Sequence, residues 1–448
     1  MLEKEKVMRT LDLLPQLVGM NRTLVSKDAG ILLEQIQEHL PLTVHRYKTG
    51  EDHQTWPVPM EWNVIKAELR YGDCVIASYE ECPLFVAIYS ASFQGDVSYD
   101  ELAKHTFTKP EHPQAFNYEH RVAADHRRRL NEWRIALPYE RLMSLDRNKK
   151  YSVDIQVEVK PGHMVIGEHV LNGVTDHNFY FLSHYCHPAQ INDGLAGVVT
   201  GIEFMKRLRE SRPQPKYTYR LLILPETFGS AVYCANHTDD LDNSIGAVFT
   251  EMPGAVSDLQ FVHSRRGDTY IDRVFRHVLK AHGKPTRLCA FRGGWGNDEL
   301  MFDSAGLGTP AISLDRYPFP EYHTHHDDIT RFHPDKLDEI VELFLRAVDI
   351  IERDFIPRPV NRVPVYLTRH DLYNDWTLER SQYDFNARII DSMWSNRSIF
   401  DIAIENGLDV ELALDYADRF VDHGLVNREA IGPAYARDVR FLPNFAFA

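Results

Sequence analysis

The sequence lacks several features that would assign it to a familiar class of protein. It has no uninterrupted run of about 18 apolar residues, which a membrane-spanning helix needs. Its start, MLEKEKVMRT, has acidic residues where a secretory signal has basic residues and then an apolar stretch, so a cytoplasmic location is expected. Its five cysteines are odd in number and form no CxxC pair, which favours neither a disulfide framework nor a cysteine zinc site.

Positive charge is also scarce. Lys and Arg number 50 against 65 Asp and Glu, which gives a formal net charge of −15. This balance disfavours attraction to nucleic acid or to an anionic membrane, so neither is expected as a partner. The rest of the composition, 44% hydrophobic and 26% charged over 448 residues, is typical of a soluble globular protein with two or three domains.

The pattern of residues changes along the chain. Residues 2–40 have apolar residues at helical spacing, whereas short segments with turn residues and many aromatics between 46 and 165 predict a separate β-rich unit. From about 178 to 355, apolar strands alternate with amphipathic helices, one of them predicted over Leu195 to Glu210, which indicates an α/β sheet buried on both faces. Residues 356–364, IPRPVNRVP, contain three prolines and are interpreted as a linker.

Beyond this linker, two helical segments flank Asn406 and Gly407 and are followed by short apolar pieces, a pattern typical of a helix-turn-helix with a wing. The second segment, VELALDYADRFVDHG, carries several acidic residues against the single Arg419. Phosphate would repel such a helix, so we expect it to pack against another domain or subunit rather than to read DNA. Homo-oligomerisation stays open.

Polar side chains suited to metal binding or acid–base chemistry follow the predicted strands of the α/β region. SHYCHPAQINDG contains His184, His187 and Asp193, and Glu226, Glu251 and the histidines of EYHTHHDD follow other strands. Open α/β sheets bind ligands at the carboxyl ends of their strands. Carboxylates and imidazoles without cysteine suit zinc or a similar ion in a hydrolytic site, and a structural cluster of loop residues is the alternative.

The order HP…NDGLAG…PETFGS…TEMPG…GNDELMF…YHTHHDD resembles the co-catalytic zinc aminopeptidase family, which includes glutamate carboxypeptidase-like enzymes. The resemblance implies a hydrolase that cleaves an amide or peptide bond of a small substrate by metal-activated water, with one or two zinc ions. It implies a bridging Asp193, with His187 and Glu251 on one ion and Glu226 and His323 on the other.

With the segments WPVPMEW and PGHMVIGEHVLNG included, nearly the whole chain resembles one subgroup of that family. The subgroup implies an α/β fold: a three-layer α/β/α aminopeptidase-like domain from residues 1–45 and 166–355, an inserted β-rich domain at 46–165, and a winged-helix-like domain at 365–448. Its members are often labelled as linked to polysaccharide biosynthesis. Hydrolysis of another amide or of an N-acyl sugar is therefore the alternative to peptide hydrolysis.

One departure from the family pattern concerns the general base. In the peptidases a second Glu, which is the base, precedes the ligand Glu, whereas here Pro225 precedes Glu226. Either Glu226 is a ligand and the usual base is missing, or Glu226 is itself the base. Glu299 is the best substitute, so the catalytic candidates are Glu226 and Glu299. A catalytically silent, metal-containing binding protein is the other alternative.

Five further residues are candidates for supporting the site or binding the substrate. His184 is expected to support the ligands, or else to replace the predicted ligand histidine. Asp298 resembles an acid that holds a ligand histidine in its tautomer. Arg316 and Tyr322 would bind a substrate carboxylate or an oxyanion, although Arg316 paired with a surface acid is the plainer interpretation. His325 would line the cleft, with a solvated loop histidine as the alternative.

Overall fold

In the computed structural model, residues 10–119, 131–293 and 296–439 are described, so Val7 of the first predicted helix and residues 440–448 of the predicted C-terminal domain lie outside the described residues. The strands in chain order are β1 (Thr43–Lys48), β2 (Asp52–His53), β3 (Trp56–Pro57), β4 (Glu61–Tyr71), β5 (Cys74–Ser78), β6 (Phe93–Ser98), β7 (Thr106–Phe107), β8 (Ile135–Ala136), β9 (Lys150–Lys160), β10 (His163–Leu171), β11 (Asn178–His184), β12 (Thr218–Leu224), β13 (Ser244–Phe249), β14 (Leu259–Val262), β15 (Thr286–Cys289), β16 (Ala311–Arg316), β17 (Ile356–Pro359) and β18 (Val426–Glu429).

The α-helices in chain order are α1 (Leu13–Leu17), α2 (Lys27–Gln37), α3 (Tyr99–Lys104), α4 (Tyr139–Met143), α5 (Ala196–Ser211), α6 (Phe228–Asn236), α7 (Thr238–Asp242), α8 (Tyr270–His282), α9 (Glu299–Phe302), α10 (Pro334–Arg353), α11 (Arg380–Ser392), α12 (Ile399–Glu405), α13 (Val410–Asp422) and α14 (Pro433–Ala436). Short 3-10 turns lie at Pro83–Phe85, Ile329–Arg331 and Leu367–His370. Over the described residues, none of these helices has both the length and the apolar character that crossing a membrane requires.

Eight strands form one mixed sheet in the order β1-β10-β12-β11-β13-β16-β14-β15. β12, β11, β13 and β16 run parallel to one another, so their carboxyl ends lie at the same edge of the sheet. Every residue of β11 and β13 is buried, as expected for central strands that are covered on both faces.

Helices cover both faces of this sheet. In β11, the ring of Phe181 lies 3.9 Å from that of Phe204 in α5, whereas the ring of its neighbour Tyr180 lies 5.4 Å from that of Phe302 in α9. Successive side chains of a strand point to opposite faces, so α5 and α9 lie on different sides of the sheet. The predicted three-layer α/β/α fold is confirmed.

The helix predicted over Leu195 to Glu210 is present as α5. Its predicted core positions share full burial: Leu195, Val198, Val199, Ile202, Met205 and Leu208. α10 packs against α5 on the same face of the sheet. This buried contact fixes the position of α5. The polar loop that begins at the end of β11 leads directly into the first residue of this helix.

The region between β1 and β10 contains a separate antiparallel sheet of four strands, in the order β5-β4-β9-β6. β1 and β10 themselves pair within the main sheet, where Arg46 lies opposite Val165. The predicted boundaries at 46 and 165 therefore fall within one strand pair of the main sheet. The division into domains stays a prediction.

The C-terminal region contains α11, α12, α13 and the two-stranded antiparallel sheet of β17 and β18. The linker predicted at 356–364 is wrong in its first part, because Ile356–Pro359 pairs with Val426–Glu429. Its prolines fit because a two-stranded sheet has only edge strands, which can leave N–H positions unpaired. A winged helix stays a prediction for this region.

A buried ion pair attaches the C-terminal region to the main domain. Arg273 of α8 donates from Nε and Nη2 to the two carboxylate oxygens of Asp401 in α12, at 2.7 and 2.8 Å. Tyr435 of α14 donates to the same carboxylate at 2.5 Å. On the surface, Arg353 of α10 pairs with Asp415 of the acidic α13 at 2.6 Å, so part of the acidic face of α13 contacts the main domain.

Candidate functional site

The carboxyl edge of the parallel strands brings the predicted ligands together. His184 is the last residue of β11, and Glu226 and Glu251 lie just beyond the ends of β12 and β13. His323 lies in the loop after β16, and Asp193 lies in the kinked turn that precedes α5. Four separate loops thus meet at one place because the strands that they follow are parallel neighbours.

His184, Asp193 and Glu251 form a first group, which we call the inner set. His184 Nε2 lies 2.7 Å from Glu251 Oε2 and 3.6 Å from Asp193 Oδ1. One ligand atom from each residue lies within 4.8 Å of the others, and all three residues are buried. Such a group could hold a metal ion.

His187, Asp193 and His323 form a second group of the same kind, the outer set. His187 Nδ1 lies 3.8 Å from Asp193 Oδ1, and His323 Nε2 lies 3.2 Å from Asp193 Oδ2. Asp193 belongs to both sets: its Oδ1 faces His184 and His187, and its Oδ2 faces His323.

This grouping differs from the pairing of His187 with Glu251 expected from the sequence. β11 and β13 are parallel neighbours with Leu182 opposite Phe249. His184 and Glu251 each follow two residues later, so they emerge side by side, whereas His187 lies further along the loop. Strand register therefore places His184 among the ligand-type residues.

Glu226 lies beside the outer set but belongs to neither set. Its Oε2 is 3.5 Å from His187 Nε2, and its backbone N–H donates to Cys186 Sγ at 3.1 Å. Burial, with the charges of Asp298 and Asp193 in support, raises the pKa of its carboxyl to about 8.

Buried acids are in excess around the two sets. Burial raises the pKa of Asp298 to about 6, of Asp315 to about 7 and of Glu299 to about 8. Asp193 differs: burial would raise its pKa, but the neighbouring His187 and the other site histidines lower it below the ordinary value. Several carboxyls thus compete for little positive charge, a condition that a bound cation would relieve.

Asp327 positions the turn that carries Asp193. Its Oδ2 accepts from Asp193 N at 2.9 Å, and its Oδ1 accepts from Asn192 N at 3.0 Å and Asn192 Nδ2 at 2.9 Å. Asp327 is fully buried. Sequence reasoning did not single it out, although it lies in the YHTHHDD motif.

Two glycines allow this turn to approach its neighbours. Gly194 has a φ of +112°, and a Cβ there would lie 3.4 Å from the His184 ring. At Gly197, in the first turn of α5, a Cβ would lie 2.4 Å from the backbone oxygen of Thr250, next to Glu251. A side chain at Gly197 would therefore push α5 away from the loop of the inner set.

Arg22, in the segment before α2, is hydrogen-bonded to the backbone of the loop that follows β11. Its guanidinium is fully buried and donates to the backbone oxygens of Tyr185 at 2.6 Å, of Gln190 at 2.9 Å and of His187. Burial lowers its pKa to about 10, so it stays charged at neutral pH. The helical spacing of apolar residues over 2–40 gave no signal of this contact.

Asp298 and Glu299 lie close to the sets without joining them. Asp298 Oδ1 accepts from Thr227 N at 2.8 Å and from Ser230 Oγ at 2.6 Å, so these contacts tie it to the start of α6. Asp298 was predicted to hydrogen-bond a ligand histidine, and no such hydrogen bond occurs among the described residues. Glu299 accepts from Asn297 N at 3.1 Å, and Asn297 Nδ2 in turn donates to Glu251 at 3.2 Å.

Arg316 is engaged away from the sets. Its Nη2 lies 3.0 Å from Glu339 Oε2 of α10, and its Nη1 donates to the backbone oxygen of Ser257 at 2.8 Å. These contacts pair the guanidinium with an acid on the flank of the sheet.

Tyr322 and His325 flank His323 in the chain and have different surroundings. The Tyr322 ring stacks on the His323 ring with 3.9 Å between centroids. His325 Nδ1 accepts from the backbone N–H of Phe116 at 3.1 Å, so this imidazole faces the inserted region.

The inserted region contributes one residue that sequence reasoning missed. The ring of Tyr118 lies 4.8 Å from that of His187 and 5.1 Å from that of His323. Tyr118 is buried and lies far in sequence from the other residues of the site, so no spacing in the chain could have indicated it.

Comparisons with known proteins agree on the fold. Residues 11–354 match a family model described as a domain of unknown function (DUF4910). A protein of Clostridium acetobutylicum named "Putative polysaccharide biosynthesis protein with aminopeptidase-like domain" is 28% identical over 347 residues, covering 77% of this chain and 77% of that protein. The crystal structure of a putative peptidase from Clostridium acetobutylicum has a TM-score of 0.82 at 24% identity, covering 95% of this chain and 97% of that one. BSAP, a zinc aminopeptidase from Bacillus subtilis, has a TM-score of 0.53 at 16% identity, covering 76% and 94%.

Proposed function

The chain belongs to the DUF4910 family, a family described only as a domain of unknown function, and from that premise we propose that it is a metal-dependent hydrolase of amide or peptide bonds. Zinc is the proposed metal, because the aminopeptidase-like fold is shared with a zinc aminopeptidase and the inner and outer sets consist of imidazoles and carboxylates. Cys186 Sγ, which lies within 4.8 Å of a nitrogen of His184 and of His187, is a ligand type that zinc also accepts.

The observation that carries this proposal is the position of Asp193. It is shared by the inner set, with His184 and Glu251, and by the outer set, with His187 and His323. A carboxylate between two groups of ligands is the arrangement of two-metal hydrolytic sites, in which the ions lie about 3.5–4 Å apart. We therefore propose two ions, one for each set.

The chemistry of the donors fits a divalent cation. Within the described residues, Glu226 Oε2 and Asp298 Oδ2 are buried and accept no hydrogen bond. Buried carboxylate oxygens are normally satisfied, so this pair, which borders the two sets without belonging to them, fits a site that holds a cation. Bound there, zinc would polarise the scissile carbonyl and make a water more acidic.

In this proposal Glu226 is the general base. The inner and outer sets are each complete without it, and its carboxylate lies beside the outer set. Glu226 accepts a proton from the attacking water and returns it to the leaving nitrogen. Pro225 cannot accept a proton, so the base role of the first glutamate of the peptidase pair is assigned to Glu226 in this proposal.

The proposed substrate is a small peptide or another amide. The name of the Clostridium acetobutylicum relative supports the variant in which the amide is the N-acyl group of a sugar. The second candidate function is a catalytically silent, metal-containing binding protein, which the presence of Pro225 in place of an acid favours.

Metal analysis and turnover separate these functions. We expect chelator-stripped protein to take up two zinc ions and to hydrolyse at least one substrate from a panel of aminoacyl anilides, dipeptides and N-acetyl sugars. Uptake of zinc without turnover of any amide would favour the binding protein. Protein that takes up no zinc would contradict both functions.

The role of Glu226 has its own test. Glu226→Gln keeps the size of the side chain but cannot accept the proton, so kcat should fall about 100-fold or more while two ions stay bound. Glu203→Gln, at a glutamate that is equally buried in α5, is the control and should keep both properties. Loss of an ion from Glu226→Gln would make Glu226 a ligand and not the base.

A further inference from the structure

A short segment of the inserted region, residues 116–118, is tied to the loop that carries His323. Tyr118 N donates to His323 O at 2.8 Å, and His325 N donates to Phe116 O at 3.1 Å. Asn117 and Thr324 form an antiparallel bridge between these two contacts. The segment therefore pairs with the His323 loop along its backbone, like a short added strand.

This pairing places an aromatic ring against both histidines of the outer set. Tyr118 meets His187 and His323 with its ring inclined by 62° and 80° to theirs, in edge contacts. His323 itself has a φ of +57°, which is uncommon for a residue with a side chain. The hydrogen bond from Tyr118 N to His323 O restrains the backbone at this position.

The inner set is built differently. His184, the last residue of β11, and Glu251, just beyond β13, are oriented by their own contact of 2.7 Å. The outer set has the added contact with Tyr118 of the inserted region, whereas His184 and Glu251 orient each other.

We propose that Tyr118 is a positioning residue for the outer set, so that the affinity of this half of the site for its ion depends on the inserted region. The inference rests on the proposed metal centre. It goes beyond it, because the inserted region would affect ion binding by the outer set and not by the inner set. Residues that orient metal ligands typically change metal affinity by about 10- to 100-fold when they are replaced.

Coupling of this kind is reciprocal. If the pairing of 116–118 with the His323 loop favours ion binding, then ion binding must favour the pairing by the same factor. The backbone N–H groups of Tyr118 and His325 make that pairing, so their exchange with solvent should slow when the outer set is filled.

Calorimetric titration of chelator-stripped protein with zinc tests the inference. Tyr118→Leu removes the aromatic ring, and we expect one of the two dissociation constants to rise about 10- to 100-fold while the other stays unchanged. Tyr118→Phe keeps the ring and should keep both constants. Tyr151→Leu, at a buried tyrosine in β9 of the inserted sheet, removes a ring away from the histidines and should also keep both.

Hydrogen exchange of the wild-type protein provides a test without any variant. We expect zinc to slow exchange at the amides of Tyr118 and His325. Unchanged exchange there, or two unchanged zinc affinities in Tyr118→Leu, would overturn the inference while the metal centre stands. Equal weakening of both affinities would also overturn it, because the effect would then not belong to the outer set. A wild-type protein that takes up fewer than two ions would overturn the proposed metal centre itself.

Discussion

Asp327 acts on the candidate centre through the backbone of its neighbours. Its two oxygens accept from the amides of Asn192 and Asp193, so they fix the direction in which the Asp193 carboxylate points. A buried acceptor with several donors is costly to remove, because the donors are left without a partner in a place that water does not reach.

We expect Asp327→Asn to weaken zinc binding about 10- to 100-fold and to lower the free energy of unfolding by about 1–3 kcal/mol. The asparagine amide would turn N–H groups toward donors that already point at position 327. Zinc titration and urea denaturation measure the two effects. Asp328→Asn is the matched neighbour, since that side chain caps only the short turn at Thr330, and it should bind zinc as the wild type does. Wild-type affinity in Asp327→Asn would show that the turn holds Asp193 without it.

At the scale of single residues, the sequence could indicate the chemistry but not the partners. The types and order of His187, Asp193, Glu226, Glu251 and His323 predicted a site at the strand ends, and the structure brings four of them together there with Glu226 beside them. The neighbour of Glu251 depends on the register between β11 and β13, which no local pattern encodes. Arg22 and Tyr118 reach the site from distant segments, and only the tertiary fold could reveal them.

At the scale of elements, Glu168 joins four of them. From β10 it accepts from His45 of β1 at 2.7 Å, from Arg220 of β12 at 2.7 Å and from Tyr233 of α6 at 3.0 Å. Burial alone would raise its pKa, but the hydrogen bonds from His45 and Arg220 lower it to about 2.

This lowered pKa predicts a loss of stability in acid. A carboxyl whose pKa is lower in the folded state stabilises that state above its unfolded pKa, and the contribution disappears as the pH falls toward the folded value. We expect Glu168 to contribute about 3 kcal/mol at neutral pH and to lose this between about pH 5 and pH 2. Unfolding free energies of wild type and Glu168→Gln should therefore converge in that range. Glu111→Gln, at an exposed glutamate, should follow the wild type at every pH.

Asp401 predicts how firmly the C-terminal region is attached. Removal of one partner from a buried ion pair leaves the other charge uncompensated, which costs about 3–5 kcal/mol. Asp401→Asn should lower the free energy of unfolding by that order in urea denaturation, because Arg273 is 3% exposed. Asp384→Asn breaks the exposed pair with Arg380 in α11 and should cost no more than about 0.5 kcal/mol. A similar loss of unfolding free energy in both variants would mean that the buried pair of Arg273 and Asp401 stabilises the fold no more than the exposed pair does.

The hydrophobic pattern of the sequence predicted the strands and helices of the main sheet better than those of the C-terminal region. β11, β12, β13 and α5 are long, buried and strongly patterned, and they lie where the apolar runs place them. The prolines at 357 and 359 indicated a linker, because a local signal cannot reveal that β18, some 70 residues later, pairs with them.

At the scale of the whole molecule, the proposed ions link stability to metal supply. A ligand that binds only the folded state at 100 times its dissociation constant adds about 2.7 kcal/mol. Chelation should therefore lower the melting temperature, and zinc should restore it. In His323→Ala the melting temperature should change less on chelation than in the wild type. In His163→Ala, at an exposed histidine at the start of β10, it should change as in the wild type. A melting temperature that is indifferent to chelation would contradict the metal centre.

The pairing of β1 with β10 has a consequence for how such a chain can be built. Lys48 and His163 face each other, and Thr49 N still donates to Gly162 O at 3.0 Å, so the intervening chain leaves and re-enters the main sheet at a single point. In topological terms the whole β-rich region is an enlarged hairpin turn. Because closing a long loop costs little more than closing a short one, an ancestral tight turn could have grown here without disturbing the register of any strand in the main sheet. The register of β1 and β10 is therefore set independently of the length of the chain between them.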